Sequence, residues 1–268
     1  MMKRLVCFGS CCIDFYSNLD GGKPFVGGGP VNTAVYAAEK GMPVSLLSCI
    51  GNDKYGDLVL QKLQEKPIDL SHFRREDGNT ALCEVTIENN ERILGDYDEG
   101  VMRDYRLSRE DIAFIKTHDI ALTDLWGQQE GLLKELKQDG GLTLAFDAAD
   151  RPDDPAAVEA MKSCDIFFFS SEEDCETVVG EMLEIIRHGP SLAVAMCGSR
   201  GSVCMDSSGI CKYRIVPEVE IVDTLGAGDS YIAGFLYGYL AGKDLEECMR
   251  IASETVLPVL QYHGAFRQ

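Results

Sequence analysis

Runs of consecutive apolar residues recur along the chain, with stretches of helical periodicity between them. Lys3–Gly9, Val44–Ile50, Asp119–Thr123, Leu142–Phe146, Asp165–Ser170 and Leu192–Cys197 lack polar/apolar alternation, as strands buried on both faces do. Between them the periodicity predicts helices over Val31–Lys40, Tyr55–Lys66, Glu130–Gln138, Pro155–Ser163 and Glu172–His188. Strand then helix, repeated, predicts an α/β fold: a mostly parallel sheet with helices on both faces. Two more helices, Ser230–Ala241 and Leu245–Tyr262, end the pattern.

Two segments break this rhythm. Thr80–Glu88 alternates, with Ala81, Cys83, Val85 and Ile87 on one side and Leu82, Glu84, Thr86 and Glu88 on the other. Asn89-Asn90 then offers turn chemistry, and Arg92–Tyr97 reads as the partner strand. Phe15–Val26 reads as a further short hairpin through Asp20-Gly21-Gly22. Antiparallel ribbon inside an α/β chain predicts a small β-lid or interface flap, formed by about 15–27 and 80–98. No internal repeat or low-complexity linker interrupts the chain, so residues 1–268 read as one domain carrying that lid.

Charge narrows the function. There are 25 Lys and Arg against 44 Asp and Glu, a net charge of −19. So acidic a chain repels phosphate backbones, which excludes nucleic acid as the expected partner. An anionic ligand would need a local site able to overcome the overall field. The eleven cysteines are odd in number, sit mostly within apolar runs and form no C-x-x-C pair, so free buried thiols in a reducing compartment are expected. The apolar run Leu5–Phe8 is too short for a signal peptide, and no run approaches a membrane span. A cytoplasmic protein with no membrane partner is the expectation.

The strongest local signal is Asp223-Thr224-Leu225-Gly226-Ala227-Gly228-Asp229. The helix after it carries Ile232, Phe235, Leu236, Tyr239 and Leu240 as a buried stripe, and Gly234 and Gly238 would admit another backbone. Two glycines at a helix start leave amide N–H groups pointing at one spot, where the helix dipole adds about half a positive charge. That is an anion hole. A phosphate held there would face the Asp229 carboxylate, which makes sense if Asp229 accepts a proton from a hydroxyl attacking phosphorus in line. No Walker A, G-x-G-x-x-G, G-x-S-x-G or H-E-x-x-H string competes. A second cluster, Gly27-Gly28-Gly29-Pro30-Val31-Asn32, places Pro30 at a helix start and offers Asn32 as donor and acceptor for sugar hydroxyls. Asp14, Asp53, Asp124 and Asp147 each follow a strand at the edge where open α/β sheets bind ligands.

Gly28-Gly29-Pro30-Val31-Asn32 and Asp223–Asp229, with Ile50-Gly51-Asn52-Asp53-Lys54-Tyr55-Gly56 between them, resemble the ribokinase or PfkB carbohydrate kinase family over nearly the whole chain. The resemblance implies a ribokinase-like three-layer sandwich with a β-lid, and homodimers through that lid. It implies an ATP- and Mg²⁺-dependent sugar kinase with Asp229 as catalytic base. The amides of Gly226, Ala227 and Gly228 would stabilise the transferring phosphoryl group. Asp14, Gly28, Gly29 and Asn32 would hold the sugar. Gly198, Gly201, Thr224 and Ser253 would lie along the nucleotide. Glu173 would help hold hydrated Mg²⁺, and Asp223 with the loop around Gly264 would flank a monovalent cation such as K⁺. Two departures concern the donor side. The family's N-x-x-E is Ser170-Ser171-Glu172-Glu173 here, and Met196-Cys197 precede Gly198 where Thr or Lys is frequent.

Within the family the chain is most similar to the fructoselysine 6-kinases, on Gly95–Met102, Leu125-Trp126-Gly127 and Gln261–Ala265. That implies phosphorylation of the 6-hydroxyl of a fructosamine. Tyr97, Trp126 and Arg151 are the residues expected near such an acceptor. Trp126 either stacks on it or packs in the core; Arg151 either reaches a carboxylate or phosphate or pairs at the surface. The acidic run Asp96, Asp98 and Glu99 either meets cations or is a solvated hairpin end. Another acceptor (a free ketose, a sugar acid or a nucleoside) and a catalytically silent sugar binder are the alternatives.

Overall fold

A computed structural model describes residues 3–88, 91–138, 140–174, 177–209, 211–214 and 219–268. The chain runs β1 (Leu5–Phe8), β2 (Cys12–Tyr16), β3 (Lys23–Gly27), α1 (Gly29–Glu39), β4 (Val44–Leu47), β5 (Cys49–Gly51), α2 (Lys54–Gln64), β6 (Ile68–Asp69) and β7 (Arg74–Glu76). It continues with β8 (Leu82–Glu88), β9 (Glu91–Asp98), α3 (Arg109–Ile115), β10 (Ile120–Asp124), α4 (Glu130–Lys137), β11 (Thr143–Asp147), α5 (Pro155–Met161) and β12 (Ile166–Ser170). The last elements are α6 (Val178–His188), β13 (Leu192–Met196), β14 (Ser202–Asp206), β15 (Cys211–Arg214), α7 (Ala227–Leu240) and α8 (Leu245–Val256).

Among the described residues, nine strands form one sheet in the order β15-β14-β13-β12-β11-β10-β1-β4-β6. From β13 to β6 neighbours run parallel; β14 and β15 are antiparallel additions. The absence of alternation in the apolar runs has a direct cause: both faces are covered. In β1, Leu5 and Cys7 pack with residues of α1, α7 and α8, while Val6 and Phe8 pack with residues of α4, α5 and α6. Three layers result.

A second sheet, in the order β3-β2-β8-β9, is the ribbon that the alternating segment predicted. β2 pairs antiparallel with β3 and parallel with β8; β8 pairs antiparallel with β9, with an irregularity between Cys83 and Val85. The expected turn at Asn89-Asn90 lies outside the described residues. The two-stranded β5–β7 pair stands apart, because Val44–Ile50 is two strands, β4 and β5, divided at buried Ser48.

Helix boundaries differ from expectation in three places. α6 begins at Val178, not Glu172, since Ser171-Glu172-Glu173 is a loop tied by Arg200, whose guanidinium donates to the carbonyls of Ser171, Glu172 and Glu173. α8 ends at Val256, two residues before Pro258, not at Tyr262. α7 begins at Ala227 and is buried on all sides through Leu236 rather than along one stripe. The elements α3, β6, β7, β14 and β15 were not anticipated, being short or lacking strong periodicity.

The close helix approach that Gly234 and Gly238 suggested is present. A Cβ on Gly234 would lie 2.7 Å from Ala252 Cα, and one on Gly238 would lie 3.0 Å from Cys248 Cα, both on α8. Gly234→Ala should therefore force α8 outward and cost about 1–3 kcal/mol in urea unfolding. Gly131→Ala, in α4 with nothing within 4 Å of the added carbon, should be neutral or stabilise by up to about 1 kcal/mol. Equal effects at both positions would contradict this packing account.

Candidate active site

The carboxyl ends of β1, β10 and β11 and the N-termini of α1 and α7 converge at one edge of the main sheet. Gly28 caps α1 at φ 106°, and a Cβ there would lie 2.6 Å from the Ser10 carbonyl oxygen, so only glycine lets the turn close. Gly226 caps α7 at φ 76°, and its Cβ would lie 2.5 Å from the Ala265 carbonyl oxygen. The two helix starts meet through side chains. Asn32 Nδ2 donates to Asp229 Oδ2 at 2.8 Å, and Thr33 Oγ1 donates to the Asp229 carbonyl at 3.3 Å. Asn32 is buried, and its Oδ1 has no partner.

Three more carboxylates close in. A Cβ on Gly29 would lie 3.4 Å from Asp229 Oδ1 and 3.5 Å from Asp124 Oδ2, so these two face the same small space. Asp14 is buried on β2, and Gly27 gives it room: a Cβ there would lie 1.8 Å from Asp14 Oδ2. Asp147 is the register partner of Asp124 on the neighbouring strand. Asp124 accepts from Ser10 Oγ at 2.5 Å and from the amides of Ser10 and Gly127. Burial still pushes its acid up to about 6. Burial and the Asp229 charge push Asp147 up to about 8. Burial, then Asp229 and Asp124, also raise the Cys7 thiol, so it stays protonated. Asp53, by contrast, is an N-cap: it accepts from Gly56 N at 2.8 Å and from Thr80.

Two cavities flank this cluster. The larger, about 1010 Å³, is lined by Gly198, Gly201, Thr224, Ala227, Gly228 and the Glu172-Glu173 loop, among others. Of the residues the sequence assigned to a nucleotide, Gly198, Gly201, Thr224 and Gly228 line it, and Gly226 and Ser253 do not. Ser253 is buried inside α8, where its hydroxyl donates to the Met249 carbonyl, and it does not reach the cleft. The smaller cavity, about 480 Å³, is bounded by Tyr97, Asp98, Glu99, Arg103, Leu125, Trp126 and Gln128. Trp126 is exposed rather than packed in the core, and the Arg151 guanidinium lies 4.9 Å from its ring centroid. Tyr97, Trp126 and Arg151 are thus together.

Asp223 is buried in the loop before Gly226. Its Oδ2 accepts from Tyr16 Oη at 2.5 Å and Gly264 N at 3.0 Å, and its Oδ1 from Leu225 N at 2.9 Å. These bonds organise the loop that carries the glycine motif and bring Gly264 beside the carboxylate. Among the described residues no group of three His, Cys, Asp or Glu side chains is placed to hold a metal. Sequence reasoning missed Ser10, Thr33, Tyr16 and Arg103. Their partners are as much as 207 positions away (Tyr16 to Asp223), and no local spacing announces them. The described cysteines form no disulfide and are mostly buried, as expected; Cys175 lies outside the described residues, as does the Cys211 side chain. No helix among the described residues is long and apolar enough to cross a membrane.

A glycine-capped helix start beside a fixed carboxylate, on a three-layer α/β scaffold, is the arrangement of a sugar kinase. The chain belongs to the pfkB family of carbohydrate kinases, whose family model matches residues 2–267. It is 37% identical over 266 residues to the fructoselysine 6-kinase of Escherichia coli (strain K12), covering 99% of this chain and 100% of that protein. It is 28% identical over 268 residues to the fructosamine kinase FrlD of Bacillus subtilis (strain 168), covering 98% and 93%. The fold matches Arabidopsis thaliana ribokinase complexed with ribose and ATP at a TM-score of 0.87 and 21% identity, covering 99% and 95%. The fold is therefore ribokinase-like.

The carboxylate cluster sets a pH dependence. An Asp whose acid is raised in the fold ionises at lower pH unfolded than folded, so the unfolded chain binds fewer protons between the ordinary Asp value and about 8. The Asp147 contribution to stability is present at low pH and is lost as pH rises through about 8. Asp147→Asn should thus match the wild type in thermal stability near pH 4 and exceed it near pH 9. A difference that does not change with pH would reject the buried-acid assignment.

Proposed function

We propose that this protein transfers the γ-phosphoryl group of ATP to the 6-hydroxyl of a fructosamine. The observation that carries the reading is the Asp229 carboxylate, fixed by Asn32 where α1 meets α7, with the glycine-built start of α7 lining the larger cleft. Asp229 accepts the proton of the attacking hydroxyl. The hydroxyl oxygen forms a bond to the γ-phosphorus as the bond to the β,γ-bridging oxygen breaks, and ADP leaves. The amides of Gly226, Ala227 and Gly228 stabilise charge growing on the transferred group. Asp14, Gly28, Gly29 and Asn32 hold the sugar, with buried Asn32 Oδ1 supplying a vacant acceptor for a sugar hydroxyl. The nucleotide occupies the 1010 Å³ cleft along Gly198, Gly201 and Thr224, at the upper end of the usual size of ligand sites.

Carboxylates of Asp150, Asp153, Glu172, Glu173 and Glu181 line the same cleft. They fit Mg²⁺ that keeps its waters and is held chiefly by phosphates. When bound, that ion neutralises the phosphate oxygens; Glu173 and its neighbours would hold it. The identity to fructoselysine 6-kinase over the full length supports the fructosamine acceptor.

Asp229→Asn should lower kcat at least ~10²-fold in Mg·ATP-dependent ADP release with a fructosamine acceptor, while the variant still binds ATP. Undiminished turnover would remove the base from Asp229. Turnover of fructose, ribose, a keto-deoxy sugar acid or adenosine in place of fructosamines would overturn the acceptor.

The second sheet ends on β9, where Ile93 is 45% and Leu94 54% exposed, an apolar edge suited to a second copy of the chain. We propose a homodimer through this lid. Static light scattering at micromolar concentration should give twice the 29.4 kDa chain mass; a monomer would reject it.

A further inference from the structure

We propose that the 480 Å³ cavity beside the acceptor site binds the free α-amino-acid end of a glycated lysine, with Arg103 taking its carboxylate and Glu99 its ammonium. The assignment rests on the fructosamine kinase reading and adds what distinguishes one fructosamine from another.

Position is the first argument. Leu125 and Trp126, on the cavity wall, directly follow Asp124, which faces the same space as Asp229. The cavity therefore opens close to the sugar. Tyr97, on the cavity wall, is the register partner of Cys83, itself the register partner of Asp14, so one line across the second sheet joins the cavity to the sugar side. A group linked to the far end of the sugar from the reacting hydroxyl enters here.

Chemistry is the second argument. A free ketose has no charge and no arm, and would leave this space to water. The cavity instead presents one cation and one anion side by side, Arg103 Nε lying 3.1 Å from Glu99 Oε2. Their side chains are 68% and 32% exposed, so water screens the pair and little is lost when each charge exchanges its partner. An α-amino acid offers the matching pair: a carboxylate for the guanidinium fork and an ammonium for the carboxylate. Asp98 is less free to serve, because it accepts from Gly100 N at 3.0 Å in its own turn. Glu99 is held ready: Gln128 Nε2 donates to its Oε1 at 2.9 Å, and Gln128 is fixed in a left-handed conformation at φ 53°. The methylene chain of a lysine would cross the indole of Trp126, whose surface is 41% exposed.

The test compares ε-fructosyl-lysine with fructosyl-cadaverine, the same molecule without the α-carboxylate, at saturating Mg·ATP. For the wild type, kcat/KM should favour ε-fructosyl-lysine by about 10- to 100-fold, the worth of one charge-assisted contact. Arg103→Ala should shrink that preference at least tenfold, through KM for ε-fructosyl-lysine rather than kcat, and Arg103→Lys should restore part of it. Equal wild-type kcat/KM for the two acceptors overturns the proposal without any variant, as does an Arg103→Ala loss shared equally by both. Phosphorylation of neither acceptor overturns the fructosamine reading itself, a result distinct from phosphorylation of both alike.

Discussion

The hydrogen bond from Asn32 to Asp229 joins two helix starts that are 197 positions apart in sequence, and the functional edge of the fold is built around it. For this contact to form, α1 and α7 must both end their first turns over the same point of the sheet. That requires glycine caps at 28 and 226, since any side chain there would strike the Ser10 or Ala265 backbone. It also requires that α7 be packed on every side, which the close fit of Gly234 and Gly238 on α8 supplies. The bond directs the Asp229 carboxylate toward the acceptor side, while Ala227 and Gly228 line the other cleft. The carboxylate and the glycine-built helix start are thus parted by less than one turn of helix.

Burial raises the acids of Asp124 and Asp147, and at Asp147 the charges of Asp229 and Asp124 add to it. The sheet tolerates it by spending donors selectively. Ser10 and Gly127 satisfy Asp124, and Asn32 satisfies Asp229. A protein of net charge −19 keeps its acceptor pocket anionic and leaves anion binding to backbone amides.

The parallel core was legible because strands covered on both faces write unbroken apolar runs, as β1, β10, β12 and β13 do. The second sheet was legible for the opposite reason: one wet face makes Thr80–Glu88 alternate. The glycine motif announced α7 and Asp229 because its constraint is local. What escaped was set by distance or by exceptions to periodicity. Ser253 sits at a plausible spacing, yet its hydroxyl turns back onto the Met249 carbonyl inside α8. The hydrogen bond from Tyr16 to Asp223 spans 207 positions, and no local pattern announces it. Arg103 stands four residues after Glu99, an ordinary helical pairing distance; only the cavity they share with Gln128 gives it meaning.

Much of the reaction edge is main chain. At Gly27, Gly28, Gly127 and Gly226 an added carbon would come within 2.6 Å of another atom. A wall made of backbone has no side chains to exchange, so point mutation cannot gradually reshape it. Variation that alters the choice of acceptor is left to the segments at its margin, Tyr97–Arg103 and Trp126–Gln128, which carry long and accessible side chains. The fold divides its labour: glycines keep the edge of the sheet close-packed, and long, accessible side chains stand at its rim.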